Sequence, residues 1–308
     1  MLNAWTAINI AIPALLAFFL FKFWTRPQST IDSKNNLETE HQEQIVLPHE
    51  PEPKHDVKLR QPYDVFLILD VEGTCQEGSG FDYPNEIIEF PVCLMKWKND
   101  EERSDLVLVD EFRSFVKPLW KPNLSKFCQE LTGITQPQVD NAPTFTQVLD
   151  SVFHFLVRNG VLEESSGKPL VRFTWCSDGP YDVRDFVVKT CFISQTPMPA
   201  WLRGDILDVH RLVTDWSIMQ NYRGRKMKAM LALNHPKRPS LNIASQLRVL
   251  GLSPFEGRKH SGIDDARNIA RIVAECARRN ICLRPNTHIN PNRRWNWMGK
   301  SGEVLLRS

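Results

Sequence analysis

The chain contains several apolar runs of strand length that are separated by polar turns. Residues 65–69 (Val-Phe-Leu-Ile-Leu) are uninterrupted large apolar residues that end at Asp70, a pattern typical of a strand buried on both faces. Two more runs, 87–95 and 106–116, lie on either side of a polar turn and predict, with the first, an antiparallel start to a sheet. A fourth strand is predicted at 171–176.

Helical periodicity follows the first three strands. In one segment Val148, Val152 and Phe155 fall on a single helix face, and in a later one Ser240 is the expected N-cap. Helices are predicted at 124–131, 144–158, 181–192, 241–250 and 263–279. Strands followed by alternating helices and strands predict an α/β domain with a central mixed β-sheet flanked by helices.

The first 60 residues differ in composition from the rest. From Ala4 onward no charged residue occurs before Lys22, and an apolar stretch of this length suffices to cross a bilayer. A cleaved signal is the alternative, although a basic region before the stretch and a clear cleavage site are both missing. The polar segment that follows has too few large apolar residues to bury a core. The sequence thus predicts a transmembrane anchor at 1–26, a disordered linker at 27–60, a folded domain at 61–285 and a basic, aromatic tail at 286–308.

Basic residues that follow the apolar stretch place the rest of the chain in the cytosol. The endoplasmic reticulum and the mitochondrial outer membrane fit this expectation equally well, and a cytoplasmic protein is expected if there is no anchor. The net charge of +2 neither requires nor excludes a nucleic-acid partner. Local clusters of basic residues offer phosphate contacts, with a solvated loop and an ordinary tail as the alternatives: Arg223, Arg225, Lys226, Lys228, Lys237 and Arg238, then Arg293 and Arg294 beside Trp295 and Trp297.

Two carboxylates follow the first strand directly. Because strand side chains alternate between faces, Asp70 and Glu72 point the same way and Val71 points the other way. Neighbouring carboxylates at the end of an apolar strand repel each other, and a divalent cation would offset that repulsion. A strand that merely ends in polar residues is the commoner explanation of such a pair taken alone.

A histidine and an aspartate accompany the last predicted helix. Asp265 lines up with the apolar positions Ile269 and Ile272, whereas Asp264 lies on the polar face, so Asp265 is expected to point inward. His260 stands five residues before Asp265 on a glycine-containing loop. Earlier in the chain, Asp178 and Asp182 both lie near the start of helix 181–192, and periodicity alone leaves either one open as a site residue or an N-cap.

Together these motifs resemble the DEDD-type exonucleases of the histidine branch. Five stretches are similar to the Eri-type 3′→5′ exoribonucleases, the family that includes histone-mRNA exonuclease: LDVEGTCQEG (69–78), NEIIEFPV (85–92), LTGITQPQVDNAPTF (131–145), SDGPYD (177–182) and HSGIDDARNIARI (260–272). The resemblance covers about residues 62–285 and implies an RNase H-like exonuclease fold. It also implies hydrolysis of RNA from the 3′ end, with release of nucleoside 5′-monophosphates.

The resemblance implies a role for each site residue. The metal ligands would be Asp70, Glu72, Asp182 and Asp265, holding two Mg²⁺ ions for which Mn²⁺ could substitute, and His260 would be the general base. Substrate contacts would come from Phe127, Tyr181, Gly73, Thr74 and His260. The family commonly has Trp at the position of Tyr181 and Ala at that of Gly73, which are two departures in this chain. A DNA exonuclease and a catalytically silent, membrane-tethered RNA-binding module are the competing hypotheses, and small RNA, ribosomal RNA and messenger RNA are all compatible substrates.

Overall fold

The computed structural model describes residues 60–99, 101–103, 105–221 and 240–305 of the 308-residue chain. The predicted anchor, the predicted linker up to residue 59 and the basic cluster at 223–238 lie outside these residues. Within the described ranges, no helix is both long enough and apolar enough to cross a membrane.

A mixed six-stranded sheet forms the centre of the fold. Its strands are β1 Val65–Leu69, β2 Glu72–Gly73, β3 Ile87–Trp97, β4 Leu106–Phe115, β5 Phe173–Ser177 and β6 Leu207–Asp208. β3 pairs antiparallel with β1, β2 and β4, whereas β5 runs parallel to both β1 and β6. The predicted antiparallel start and the α/β class are therefore confirmed.

The helices flank this sheet in the order expected from the sequence. They are α1 Lys126–Thr132, α2 Gln136–Asp140, α3 Phe145–Arg158, a π-helical segment Asp182–Val187 that continues into α4 Val188–Ile193, a 3₁₀ turn Ala200–Leu202, α5 Val209–Asn221, α6 Ile243–Val249 and α7 Gly262–Arg278. Two of these helices, α2 and α5, are not among those predicted from the sequence. The expected N-cap at Ser240 is wrong, because Asn242 caps α6 by accepting a hydrogen bond from the Ser245 backbone N–H at 2.9 Å.

Two hydrophobic cores lie on opposite faces of the sheet. Val65, Leu67 and Leu69 point into one core together with α3, while Phe66 and Ile68 point into the other with α5, α6 and α7. Asp70 and Glu72 continue the alternation of Phe66 and Ile68, so the strand pleat directs both carboxylates toward α7.

The segment after residue 285 packs into the first of these cores. Trp295 and Trp297 are each only 8% exposed and stack on one another with ring centroids 6.2 Å apart. Their burial leaves little ring surface for a nucleobase, so the structure does not support a stacking role for these two tryptophans. Arg293 forms an ion pair with Asp185 at 2.5 Å, which gives this arginine a structural partner.

Candidate active site

Three carboxylates converge where β1, β2 and α7 meet. Ligand oxygens of Asp70, Glu72 and Asp265 all lie within 4.8 Å of one another. Asp70 follows the last residue of β1, Glu72 begins β2, and Asp265 lies in the first turn of α7 with 7% exposure. The amphipathic pattern of α7 thus brings Asp265 inward as predicted, while Asp264 pairs with Arg267 at 3.3 Å.

Asp182 reaches the same region from the π-helical segment. Its Oδ1 accepts a hydrogen bond of 2.8 Å from the backbone N–H of Val71, at the point where the chain passes from β1 to β2. The break between the two strands leaves this N–H without a ladder partner, and Asp182 satisfies it. Asp178 also lies in this region, where its Oδ1 accepts a hydrogen bond from Gln246 Nε2 at 2.6 Å.

His260 borders the same cavity as the carboxylates. The cavity has a volume of about 300 Å³, and its walls include Asp70, Asp178, His260 and Asp265. The His260 backbone is left-handed, with φ of 58°. Because this conformation is uncommon for residues other than glycine, the loop and the adjoining start of α7 must hold it in place. Partial desolvation lowers the pKa of His260, and the positive charges nearby lower it further, so its ring is neutral and can accept a proton near neutral pH.

The negative charges of these carboxylates are poorly offset by the protein alone. Burial raises the pKa of Glu72 to about 9, and it raises the pKa values of Asp182 and Asp265 to about 7. The pKa of Asp70 is well above its ordinary value, first through burial and then through repulsion by Asp182, Asp265 and Glu72. Such mutual repulsion in one place is characteristic of functional sites that bind cations.

The part of the chain that holds this site matches a known protein family. The family described as Exonuclease matches residues 67–273, a range that includes all four carboxylates and His260. The chain belongs to this exonuclease family.

Within this family, the chain is similar to the Eri-type 3′-5′ exonucleases. The chain is 35% identical to the 3′-5′ exonuclease eri1 of Schizosaccharomyces pombe, over 79% of this chain and 75% of the relative. It is 33% identical to 3′-5′ exoribonuclease 1 of Homo sapiens, over 73% of this chain and 55% of that protein, and therefore spans little more than half of the human relative. The solved nuclease domain of 3′hExo, a DEDDh family member bound to rAMP, superposes with a TM-score of 0.58 at 29% identity, covering 74% of this chain and 98% of the other. The resemblance to the Eri-type exonucleases is thus confirmed, together with the RNase H-like fold.

The exonuclease family implies divalent metal ions, and the residues present fit them. The three converging side chains offer only carboxylate oxygens, which hard cations such as Mg²⁺ and Mn²⁺ prefer. The raised pKa values of Asp70 and Glu72 also fit a cation site. Burial disfavours the ionised carboxylates, and a bound cation would stabilise them. Asp182 is not within the set of three, although its charge acts on Asp70.

The expected substrate-contacting residues lie around this exonuclease site in two groups. Tyr181 directly precedes Asp182 and is 39% exposed. Phe127 is half-buried on α1, and the next residue, Cys128, lies with its Sγ 3.6 Å from the carbonyl oxygen of Gly73. This contact places α1 beside β2, at the edge of the acidic cluster.

Gly73 and Thr74 lie at β2 and directly after it, and both are buried. A Cβ at Gly73 would lie 2.5 Å from Cε1 of Phe186, so an alanine at this position would require the Phe186 ring to move. Thr74 is 6% exposed, and its hydroxyl accepts a hydrogen bond from the backbone N–H of Glu86 at 2.9 Å. The Thr74 side chain therefore fixes the turn after β2.

A buried carboxylate that was not predicted from the sequence, Glu89, supports the site. Glu89 on β3 is fully buried and pairs in register with Glu72. Its two oxygens bind Arg113 Nε at 2.7 Å and the backbone N–H of Gly262 at 3.1 Å, which ties β3 to the start of α7. A Cβ at Gly262 would lie 2.4 Å from the carbonyl oxygen of Asp70, so only glycine permits this approach. The sequence feature that could have indicated Glu89 is the presence of a charged residue inside the otherwise apolar run 87–95.

Arg258 links the loop of His260 to α1. Its Nη1 donates a hydrogen bond to the carbonyl of His260 at 3.1 Å, and its Nη2 donates to the carbonyls of Glu130 and Leu131 at 3.0 and 2.9 Å. The guanidinium thus satisfies carbonyls at the end of α1 and holds the left-handed residue in place. A Cβ at Gly133 would lie 2.8 Å from Cζ of Arg258, so the glycine that ends α1 also makes room for this contact.

Proposed function

We propose that the protein is a metal-dependent 3′→5′ exoribonuclease that releases nucleoside 5′-monophosphates from RNA 3′ ends. The observation that carries this proposal is the convergence of Asp70, Glu72 and Asp265 within 4.8 Å, beside a cavity that His260 also lines. The names of the Eri-type relatives support the 3′→5′ direction and RNA as the substrate. The nucleotide rAMP in the related nuclease domain supports a 5′-monophosphate as the product.

In the proposed mechanism, Asp70, Glu72, Asp182 and Asp265 would hold Mg²⁺ or Mn²⁺ ions. The chemistry that divalent ions supply in such sites is a lowered pKa of the attacking water and neutralisation of the charge that develops on the phosphate. His260 accepts the proton of that water on a neutral ring nitrogen, for which its lowered pKa suits it. Asp182 also fixes the strand break through the Val71 N–H, which keeps Asp70 and Glu72 in position.

The substrate contacts in this proposal come from residues that adjoin the site carboxylates: Tyr181 precedes Asp182 in the chain, and Gly73 follows Glu72. Tyr181 and Phe127 contact the terminal base, because an aromatic ring can bind any base. Gly73 and Thr74 present the backbone after β2 to the terminal nucleotide. We place the activity in the maturation or turnover of RNA 3′ ends, in small-RNA, ribosomal RNA or messenger RNA processing.

Matched RNA and DNA oligonucleotides test this function directly. Purified full-length protein with Mg²⁺ should shorten a 5′-labelled single-stranded RNA in one-nucleotide steps, with nucleoside 5′-monophosphates as the product. EDTA should stop the reaction, since the carboxylates then have no cation to hold. Faster shortening of DNA of the same sequence would favour the DNA exonuclease, and binding of RNA without any shortening would favour the silent module.

We further propose that residues 1–26 attach the enzyme to a membrane, with the catalytic domain facing the cytosol. The support is the apolar composition from Ala4 to Trp24, which has no charged residue before Lys22. The full-length protein should stay in the membrane pellet after alkaline carbonate extraction, and a protein lacking residues 1–26 should be released. Release of both forms would contradict the anchor.

A further inference from the structure

Phe81 and Tyr181 form a stacked pair of exposed aromatic rings beside the acidic cluster. Their ring centroids are 4.5 Å apart and their planes differ by 17°. Phe81 is 56% exposed and Tyr181 is 39% exposed, and Tyr181 is adjacent in sequence to Asp182. Exposed aromatic surface next to a catalytic cavity is a feature of ligand-binding sites, because burial against a flat ligand would stabilise it.

Tyr181 already has two neighbours that cover its ring. Phe81 stacks on it, and the guanidinium of Arg184 lies over it at 5.0 Å from the ring centroid. Arg184 is itself held by a hydrogen bond of 2.8 Å to Asp185. Of the two stacked rings, Phe81 therefore retains the larger accessible face, and Tyr181 with Arg184 supports it from behind.

The loop that carries Phe81 is fixed by a buried lysine. Lys189 on α4 is fully buried, and its Nζ donates hydrogen bonds to the carbonyl oxygens of Phe81 and Tyr83, the second at 2.9 Å. The same Nζ lies 3.2 Å from Oδ1 of Asn85. Three acceptors converge on one ammonium, so the backbone of Phe81 is held before any substrate arrives. A preorganised ring loses little conformational freedom on binding.

We propose that Phe81 is a nucleobase-binding residue, on whose exposed face an unpaired base near the RNA 3′ end stacks. This proposal rests on the proposed exoribonuclease function and adds a contact to the Tyr181 and Phe127 positions. The partner is defined by its chemistry as the flat π surface of an unpaired base. Because every base has such a surface, the contact strengthens binding of single-stranded 3′ ends without selecting a sequence.

Substitutions at Phe81 in the full-length protein test the contact. Phe81→Ala should weaken the binding of single-stranded RNA, measured by fluorescence anisotropy in EDTA to prevent hydrolysis, about 5- to 150-fold, which corresponds to about 1–3 kcal/mol. In Mg²⁺ the same loss should appear in KM, with kcat changed less than about twofold. Phe81→Trp should bind as well as the wild type, whereas Phe81→Leu should resemble Phe81→Ala because it keeps apolar volume and lacks a stacking face. Leu170→Ala is the matched control, since Leu170 is 59% exposed and packs around a different cavity.

A series of RNAs with one abasic nucleotide separates a base contact from a structural role of Phe81. Wild-type affinity should fall when the abasic position is the one that meets Phe81, and Phe81→Ala should not respond to the abasic nucleotide at that position. Equal responses of the two proteins at every position, or binding by Phe81→Ala within about twofold of the wild type, would overturn the assignment while leaving the exonuclease intact. A wild-type protein that neither binds nor shortens RNA would overturn the proposed function itself.

Discussion

Replacing Asp70 by Asn should lower the rate of RNA hydrolysis by about 10³-fold or more, because a lost cation ligand removes several kcal/mol of transition-state stabilisation. Asp70 is one of the three side chains whose ligand oxygens converge, so the amide keeps the shape of the site and removes its charge. Single-turnover rates on a labelled RNA with saturating Mg²⁺ measure the effect. A variant with near-normal rates would refute the assignment of Asp70.

The same substitution should stabilise the protein when no divalent ion is present. Burial, followed by repulsion from Asp182, Asp265 and Glu72, raises the pKa of Asp70, so the ionised form destabilises the fold. The pKa values of about 7 for Asp182 and Asp265 and about 9 for Glu72 exceed the ordinary value of about 4. Between these limits the folded state binds more protons than the unfolded state, so metal-free stability should fall as the pH rises from about 4 to 9.

Thermal denaturation with and without Mg²⁺ checks this second effect. At pH 8 in EDTA, Asp70→Asn should melt at a higher temperature than the wild type, and the difference should shrink toward pH 4. Free Mg²⁺ at about 100 times its Kd should raise the wild-type Tm by about 5–10 °C and that of the variant by less. Asp150→Asn is the matched control, because Asp150 is exposed on α3, which packs against the opposite face of the sheet.

Replacing His260 by Ala should lower kcat by about 10²–10⁴-fold, the range that a general base contributes. RNA binding in EDTA should weaken much less than kcat falls, because the main loss is in proton transfer and His260 is only one of several substrate contacts. The wild-type rate should rise with pH only up to the pKa of His260, which lies below its ordinary value, and then level off before neutral pH. The variant should lack this rise.

An exposed histidine elsewhere supplies the control for His260. His154 lies on α3, which packs against the opposite face of the sheet, so His154→Ala should leave both kcat and the pH profile unchanged. A variant at His260 that keeps the acidic limb of the profile would show that another group accepts the proton.

Simple periodicity predicted the parts of the site that regular elements carry. The alternation along β1 placed Asp70 and Glu72 on one face, and the 3.6-residue pattern of α7 separated Asp265 from Asp264. Both inferences need only the local geometry of one element. Asp182 could not be separated from Asp178 in this way, because the segment that begins at Asp182 is π-helical and does not follow that spacing. Only the family resemblance favoured Asp182 over Asp178 as the metal ligand.

The contacts that support the site depend on how separate elements meet, which no single-segment pattern contains. Glu89 is recognisable as important only when β3 is paired in register with Glu72 and approached by Gly262. Phe81 lies in a loop whose position is set by Lys189, more than 100 residues away along the chain. These are long-range relations, and they were missed for that reason.

The guanidinium of Arg258 has a consequence for how the enzyme would treat different RNA ends. It bonds at once to the carbonyl of His260 and to the last turn of the helix that carries Phe127, so a shift of either partner is passed to the other. A terminal nucleotide that seats badly against Phe127 would also leave its proton acceptor misaligned. Rejection of an unsuitable end would then slow turnover as well as weaken affinity, and a lower kcat on RNA with a 3′-terminal abasic nucleotide would reveal it.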